Sequence, residues 1–493
     1  KRLQQLRQEV EEHERAHDEC LGRIRRIDPG YDPDQPVPPA TWEEILQRIP
    51  EKGLAVSFYV LAEETVAFLV AADGRVEVVR FPSLDGHTLG AMATEWGMAY
   101  HGQKIVPQHD HRGKREKEAV WREVMESTMA RLSRELVSPL EARIRAMGDF
   151  DQLILCLHQT LHAFPLHACQ VGEGDAVMPL LDAYQVSYIP SFSLWRRCQE
   201  RQNQEGRQEG AATVLFGDPT GDLTYARLEV AATEELLAED PERPLHAYQG
   251  PDVTRKVLRT EAPDMARLIY SGHSFFQDGD PLESALVLQT KEPSPHWLRL
   301  REIFASLPLP KCVEVVLNGC ESGRLRPDAA DEYVSLPTGF LFRGATRVVS
   351  TLWAIYDTSA ALLMVRYHEL SREGLASAEA LRQAQRWLRD LPNGEVFLAE
   401  ALPRLVEPLK DPVEKDTYKE LLVEAAKQYG DEPPFAHPIH WAAFTVAGEA
   451  LGPVMKEMGK PKMAVAPKAD GQDVERESWG SRVWRYLFPR PLE

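Results

Sequence analysis

The chain has 493 residues, of which 43% are hydrophobic. This length exceeds what one hydrophobic core usually supports, so we predict two or three subdomains. A net charge of −19, from 76 acidic and 57 basic residues, argues against nucleic-acid binding as the main function. The six cysteines include no C-x-x-C pair, and no secretory signal or apolar run of ~20 residues is found. We therefore predict reduced thiols in a cytoplasmic protein.

The pattern of residues 1–37 predicts a helix followed by a linker. Apolar residues recur at helical spacing up to residue 27, and the sequence starts at Lys1 inside this pattern. We expect a further segment before it, although a solvated linker helix explains the pattern equally well. Residues 29–39 (PGYDPDQPVPP) favour neither helix nor central strand and mark a domain boundary.

Residues 38–205 are predicted to form the first half of the fold. Two or three β-branched and aromatic runs lie between residues 55 and 81, with Asp73-Gly74 as a hairpin turn. Residues 101–119 are polar and charged without a period, which predicts a loop. A helix is expected to follow it over residues 120–147.

Five cysteine and histidine side chains fall between residues 156 and 169, a density that suggests a metal site. Zinc sites favour short paired spacings such as C-x₂-C joined to H-x₃-H. His158 and His162 would need a helix for that spacing, whereas the run before them resembles a strand. We therefore predict no metal. No G-x₄-G-K-[ST] box or G-x-G-x-x-G motif follows a strand, so no nucleotide cofactor is predicted either.

Two short apolar runs further along the chain each lead to a reactive side chain. The runs Met265–Ser271 and 312–317 are rich in Val, Ile and Leu and bounded by Gly, which favours buried parallel strands. They lead to His273 in SGHS and to Cys320 in NGCESG. Apolar residues at helical spacing over 296–307 predict the helix of a βαβ unit. A right-handed crossover puts both strand ends at one sheet edge, so the two side chains should lie close together.

A thiol and an imidazole at neighbouring strand ends are the components of a cysteine nucleophile site. The thiolate attacks a carbonyl carbon, the imidazole transfers the proton, and backbone N–H groups hold the oxyanion. Gly319 and Gly323 let the backbone turn and approach a substrate closely. A lone Cys is usually a small buried side chain, and a lone His at the end of a strand is usually just hydrogen-bonded there. The hypothesis of a nucleophile site therefore depends on Cys320 and His273 occurring as a pair.

The spacing of the pair and several other blocks resemble a known family. His273 precedes Cys320 by 47 residues (320 − 273), close to the ~50 residues of caspases. Here the sequence resembles the CHAT family, caspase-like cysteine peptidases often fused to tetratricopeptide repeats. Further similar blocks are LHAFPLHA at 161–168, DPLESAL at 280–286, LPTGFLFRGATRVVSTLWAIYD at 336–357 and HPIHWAAF at 437–444.

The resemblance implies an α/β fold, a caspase-like sandwich of a mostly parallel sheet flanked by helices. In such proteins the N-terminal half, here residues 38–205, is a degenerate copy of the catalytic C-terminal half, here residues 206–450. Residues 451–493 are polar and Pro-containing, which predicts an extended tail. The charged stretch 324–335 after Cys320 is expected to be a flexible loop that an activating signal orders.

The same resemblance implies roles for individual residues. Cys320 would be the nucleophile and His273 the general acid and base, with the backbone N–H groups of Ser274 and Cys320 as oxyanion donors. Relatives usually have Gly after the His, and Ser274 can replace it only if its φ is not positive. Tyr356 and Asp357 are candidates for the pocket of the substrate's first side chain. Asp357 has an alternative explanation as the N-cap of a helix.

The implied function is a cysteine endopeptidase that cuts one partner protein after a signal and needs no cofactor. Relatives serve bacterial defence, with CRISPR effectors or with gasdermin pore formers. The signal would come through the segment expected before Lys1 or from a ribonucleoprotein effector. No direct contact with nucleic acid or membrane is predicted. The alternative is that the same fold serves as a catalytically inert scaffold or interaction module.

Overall fold

The computed structural model describes residues 39–104, 111–238, 243–277, 279–289, 296–324 and 334–448. The described residues from Trp42 onward belong to one compact unit. The predicted helix over residues 1–27, most of the linker, most of the loop after Cys320 and the tail lie outside the described residues.

An eleven-stranded sheet forms the centre of the described chain. Its strands are β1 (Gly53–Val60), β2 (Thr65–Ala71), β3 (Val76–Phe81), β4 (Gln152–Cys156), β7 (Gln185–Tyr188), β8 (Ala212–Gly217), β9 (Leu245–Gln249), β10 (Met265–Ser271), β14 (Glu314–Asn318), β15 (Arg347–Thr351) and β16 (Phe444–Gly448). Two smaller sheets are formed by five short strands, which are β5 (Gln170–Val171), β6 (Met178–Pro179), β11 (Ser274–Phe275), β12 (Ala285–Leu288) and β13 (His296–Arg299).

The strand order of the central sheet is β3-β2-β1-β4-β7-β16-β15-β14-β10-β8-β9. Adjacent strands are parallel except in the pairs β1–β2, β2–β3 and β15–β16. All residues of β8 are buried, as are nearly all of β10, which matches their continuous apolar sequences. The edge strand β3 instead has several exposed residues. The prediction of a mostly parallel sheet flanked by helices is confirmed.

The helices are distributed along the whole described chain. They are α1 (Trp42–Leu46), α2 (Gly86–Lys104), α3 (His111–Leu132), α4 (Ser138–Met147), α5 (Leu180–Ala183), α6 (Phe192–Gln202), α7 (Thr224–Ala238), α8 (Arg255–Glu261), α9 (Leu300–Ser306), α10 (Leu336–Arg343), α11 (Asp357–Arg372), α12 (Ser377–Arg389), α13 (Gly394–Ala401) and α14 (Pro412–Tyr429). Two π-helical turns, Ser133–Val137 and Leu402–Val406, extend α3 and α13.

The loop predicted over residues 101–119 is largely wrong. Helix α2 continues to Lys104, and α3 begins at His111. The charged run in this stretch contains Lys, Glu, Arg and Ala, which are good helix formers even without an apolar stripe. Tertiary packing also holds the two helices together, since Trp96 and Trp121 make an edge-to-face contact at 4.7 Å between ring centroids.

The helix predicted over residues 296–307 is correct only in its second part. His296–Arg299 form β13, which pairs with β12 so that Trp297 lies opposite Val287. Helix α9 begins at Leu300, where the backbone N–H of Arg299 donates to the Glu302 carboxylate at 3.0 Å. The apolar residues before Leu300 therefore belong to a strand that pairs with β12. The periodicity of a single segment cannot reveal such a pairing.

The predicted boundary between residues 205 and 206 lies in a segment tied to the later part of the chain. The Arg207 guanidinium donates hydrogen bonds to the backbone oxygens of Pro310 (2.6 Å), Cys312 (3.0 Å) and Gly344 (2.6 Å). Strand β16 pairs with β15 on one side and with β7 on the other. We therefore propose that residues 38–205 and 206–450 are two halves of the sequence that share one continuous sheet.

Candidate active site

The candidate site lies where β10 and β14 end. These neighbouring strands are parallel, and their last paired residues are Ser271 and Asn318. His273 and Cys320 each follow two positions later, and the Gly272 N–H donates to the Asn318 backbone oxygen at 3.1 Å. The two segments that carry the thiol and the imidazole therefore leave the sheet side by side, at the same edge.

Ser274 links the two segments directly. Its hydroxyl donates to the Cys320 backbone oxygen at 2.5 Å. Its φ is negative, so the backbone meets the condition under which Ser replaces Gly after the His. A Cβ added at Gly319 would lie 2.7 Å from the Ser274 hydroxyl oxygen and 2.9 Å from the Gly272 backbone oxygen. This crowding explains why a glycine precedes Cys320.

Replacing Gly319 by Ala is expected to slow the alkylation of Cys320 by iodoacetamide about ten- to a hundredfold, because the methyl group must push the His273 and Cys320 segments apart. The rate is measured by peptide mapping of the modified protein. Gly97→Ala is the matched control, because a Cβ at this position in α2 meets nothing within 4 Å. Equal rates in both variants would contradict the close approach described here.

Asp222 is a site residue that sequence reasoning missed. His273 Nε2 lies 3.1 Å from Asp222 Oδ1 and 3.3 Å from Oδ2. A carboxylate only accepts, so Nε2 carries the proton in this bond and Nδ1 is the ring nitrogen that keeps a lone pair. Hydrogen bonds from Thr220 and His273, with the charge of His273, lower the pKa of Asp222. The His273 side chain is 40% exposed and that of Asp222 64% exposed.

A tight turn after β8 holds Asp222 in place. Asp218 is buried, has a φ of 39°, and its Oδ1 accepts the backbone N–H groups of residues 221–223 at 3.0–3.1 Å. Its own N–H donates to the Ser271 backbone oxygen at 2.8 Å, which anchors the turn to β10. The sequence signal is GDPTGD, an Asp- and Gly-rich turn of the kind in which Asp caps its own loop.

The turn after Cys320 is fixed from the other side by helix α2. Glu321 is buried with a φ of 59°, a left-handed conformation that is uncommon for a residue other than Gly. Arg324 donates to Glu321 Oε1 at 2.9 Å and to His101 Nε2 at 2.7 Å, and its guanidinium lies over the Tyr100 ring. The backbone around Cys320 therefore depends on contacts from the first part of the chain.

The two predicted pocket residues occupy different surroundings. Asp357 is exposed and is the first residue of α11, so the N-cap position belongs to Tyr356 and the cap interpretation is wrong by one residue. The Tyr356 ring packs on His440 at 4.9 Å. Burial and a hydrogen bond to Glu118 raise the pKa of Tyr356. The pocket role of both residues stays a prediction.

The structure also bears on metal binding and on membrane insertion. Within the described ranges, no three His, Cys, Asp or Glu side chains are grouped as metal ligands. Burial lowers the pKa of His162 and His167 to about 3, and His167 Nδ1 lies 2.8 Å from the Tyr188 hydroxyl. In the same part of the chain, no helix combines the length and apolar character needed to cross a bilayer.

Comparisons with known proteins identify the family and the fold. The family model described as CHAT domain matches residues 126–449. Separase of Saccharomyces cerevisiae, solved in complex with securin, superposes with a TM-score of 0.53 at 11% identity over 82% of this chain. A second separase–securin structure from this organism gives 0.51 at 10% identity over 82% of this chain.

The chain covers different shares of the proteins that it matches. The chain spans 30% and 31% of the two separase chains, so less than a third of that protein is represented. The Arg-specific cysteine proteinase gingipain R gives a TM-score of 0.40 at 9% identity, covering 84% of this chain and 79% of the gingipain chain. No curated protein sequence matches the chain.

Proposed function

This chain belongs to the CHAT domain family and has a caspase-like cysteine peptidase fold, and on that premise we propose that it is a cysteine endopeptidase. Cys320 is the nucleophile and His273 the general acid and base. The observation that carries the proposal is the register of β10 and β14, which brings both residues to one sheet edge two positions beyond paired residues.

The proposed reaction follows from the groups at this edge. Nδ1 of His273 takes the Cys320 thiol proton, and the thiolate attacks the carbonyl carbon of the scissile peptide bond. The backbone N–H groups of Ser274 and Cys320 hold the oxyanion. The imidazolium then gives its proton to the leaving amine, and a water activated by the same imidazole hydrolyses the acyl-enzyme.

Asp222 has a positioning role in this proposal. Its bond to Nε2 fixes the tautomer in which Nδ1 is the base, and its charge stabilises the imidazolium that forms in the reaction. Its high exposure weakens the second effect, because solvent screens the charge.

Asp222→Asn is therefore expected to lower kcat/KM for peptide cleavage about a hundredfold, less than the loss for a buried triad carboxylate. The measurement is the kcat/KM of both proteins on one peptide. Asp149→Asn is the control, because Asp149 is an exposed carboxylate paired with Lys52. Wild-type kinetics in Asp222→Asn would refute the positioning role.

We propose further that the residue before the scissile bond is basic. The support is electrostatic. Asp357 and Asp222 are exposed carboxylates, and Asp357 adds to the raised pKa of Glu229, a buried residue that contacts both strand ends. A cationic side chain near Asp357 would gain from this charge.

One experiment tests the reaction and the preference together. A library of peptides from a digested proteome is incubated with the wild type and with Cys320→Ala, and new termini are identified by mass spectrometry. Cuts that need Cys320 and follow basic residues support both proposals. Cuts without this preference remove the pocket role of Asp357. If wild type and variant give the same termini, the fold is a scaffold or interaction module rather than a peptidase.

The biological setting is also a proposal. The resemblance favours cleavage of one partner protein after activation, in bacterial defence linked to a CRISPR effector or to a gasdermin. The contacts of α2 with the turn after Cys320 are one route by which a signal could reach the site. Incubation with the product of the neighbouring gene, with and without a candidate effector, tests this setting. A cut that Cys320→Ala abolishes supports it.

A further inference from the structure

A buried carboxyl group lies beneath the candidate site. Glu229 on α7 is 2% exposed. Its Oε2 accepts a hydrogen bond from the Ser271 hydroxyl at 3.0 Å and another from the Asn318 side-chain amide. The carboxyl therefore bridges the ends of β10 and β14 through side chains.

The two donors occupy matching places in the sequence. Ser271 and Asn318 are partners in the parallel register. Each is followed by a glycine and then by the reactive residue, in SGH and in NGC. The bridge therefore acts at equal distance along the chain from His273 and from Cys320, at the point where both segments leave the sheet.

The surroundings of this carboxyl do not favour its burial for stability alone. Burial raises the pKa of Glu229 to about 8, the bonds from Ser271 and Asn318 lower it, and the charge of Asp357 raises it. Its hydrogen-bond partners among the described residues are a hydroxyl on β10 and an amide on β14, and the charge that acts on it is a carboxylate on α11. None of these is a cation, so the carboxyl is buried with hydrogen bonds and without an ion pair to any of them.

We propose that Glu229 is a positioning residue of the peptidase. It holds the ends of β10 and β14 at the spacing in which Nδ1 of His273 meets the Cys320 thiol. The inference rests on the proposed function, because it assigns the bridge to the geometry of that pair. It makes Glu229 act through the strand ends, without contact to the substrate.

Three variants separate positioning from general packing. Glu229→Ala removes the acceptor and leaves two buried donors without it, so the strand ends lose their bridge. Glu229→Gln keeps an acceptor oxygen of the same reach and cannot ionise. Ser271→Ala removes one of the two bonds and leaves the carboxyl in place, which serves if Glu229→Ala does not fold. The matched control is Glu141→Gln, a buried carboxyl on α4 that bonds Tyr184.

The experiment measures the alkylation rate of Cys320 by iodoacetamide from pH 5.5 to 9.5, with peptide mapping to separate it from other cysteines. The probe reports the thiolate, so no peptide substrate is required. For Glu229→Ala we expect a rate at pH 7 about thirtyfold below the wild type, with the apparent pKa of the thiol raised toward its usual ~8.5. Ser271→Ala should be slower about threefold to tenfold. Glu229→Gln should recover all but about threefold of the loss.

The outcomes distinguish this inference from the proposed function. If Glu229→Ala, folded by circular dichroism, reacts like Glu141→Gln, or if Glu229→Gln is as slow as Glu229→Ala, the positioning role is overturned. If Glu229→Ala does not fold, a wild-type rate in Ser271→Ala overturns it. If His273→Ala reacts like the wild type, the thiol–imidazole pair itself is refuted, and the positioning role fails with it.

Discussion

His273→Ala is expected to lower kcat/KM for peptide cleavage about 10⁴-fold or more, because the thiol loses its base and the leaving amine loses its proton donor. In the proposed mechanism Nδ1 makes this transfer, since Nε2 is bonded to Asp222. The same substitution should leave the fold intact, because His273 is 40% exposed and lies beyond the end of β10.

The control for this prediction is another histidine in a similar environment. His246 on β9 is 44% exposed, and its Nδ1 lies 2.8 Å from the Glu261 carboxylate, much as His273 is paired with Asp222. His246→Ala should keep the wild-type kcat/KM. A comparable loss in both variants would show that the effect of His273→Ala comes from damage to the fold.

Glu314→Ala is expected to lower the free energy of unfolding by about 3–5 kcal/mol, because it leaves two arginines near the core without their counter-charge. Glu314 is 0% exposed at the start of β14. Its carboxylate lies 2.8 Å from Arg267 Nε and 3.0 Å from Arg347 Nε, and it accepts hydrogen bonds from Tyr367 and Ser377. Urea denaturation followed by circular dichroism measures the change.

The pH dependence of this effect has a definite sign. Burial alone would raise the pKa of Glu314, but Arg267 and Arg347 hold it well below its usual range. A depressed carboxyl pKa contributes stability that is present above the unfolded value of ~4.3 and is lost as the pH falls below it. The difference in the free energy of unfolding between wild type and Glu314→Ala should therefore become smaller in acid.

The control is Asp149→Ala, which breaks an exposed ion pair and should have the free energy of unfolding of the wild type. A loss of stability in Asp149→Ala as large as that in Glu314→Ala would contradict this prediction.

The strands and the edge that carries the site could be predicted from local patterns. The runs that end before His273 and Cys320 are apolar, short and bounded by Gly, and the structure pairs them in parallel as β10 and β14. The hairpin at Asp73-Gly74 likewise joins β2 and β3, which the structure pairs antiparallel. These features depend on composition and on turn chemistry within a few residues, which a sequence displays directly.

Groups that meet through long-range packing could not be predicted. Asp222 reaches His273 across 51 residues, and its signal is a turn motif that also fits an ordinary loop. Glu229 lies in α7, whose sequence does not indicate that this carboxyl is buried. Its burial is explained only by its contact with Ser271 on β10. The strand β13 was missed for a related reason, because its partner β12 lies outside the segment.

The proposed function depends on Cys320 acting as the nucleophile with His273 as its base. A peptide-based electrophilic probe, applied to the wild type, to Cys320→Ala and to His273→Ala and followed by peptide mapping, tests it most directly. We expect the probe to label the wild type at Cys320. Cys320→Ala should not be labelled at the wild-type rate, and His273→Ala should be labelled far more slowly than the wild type. Labelling that survives Cys320→Ala, or that proceeds equally fast without His273, would contradict the claim.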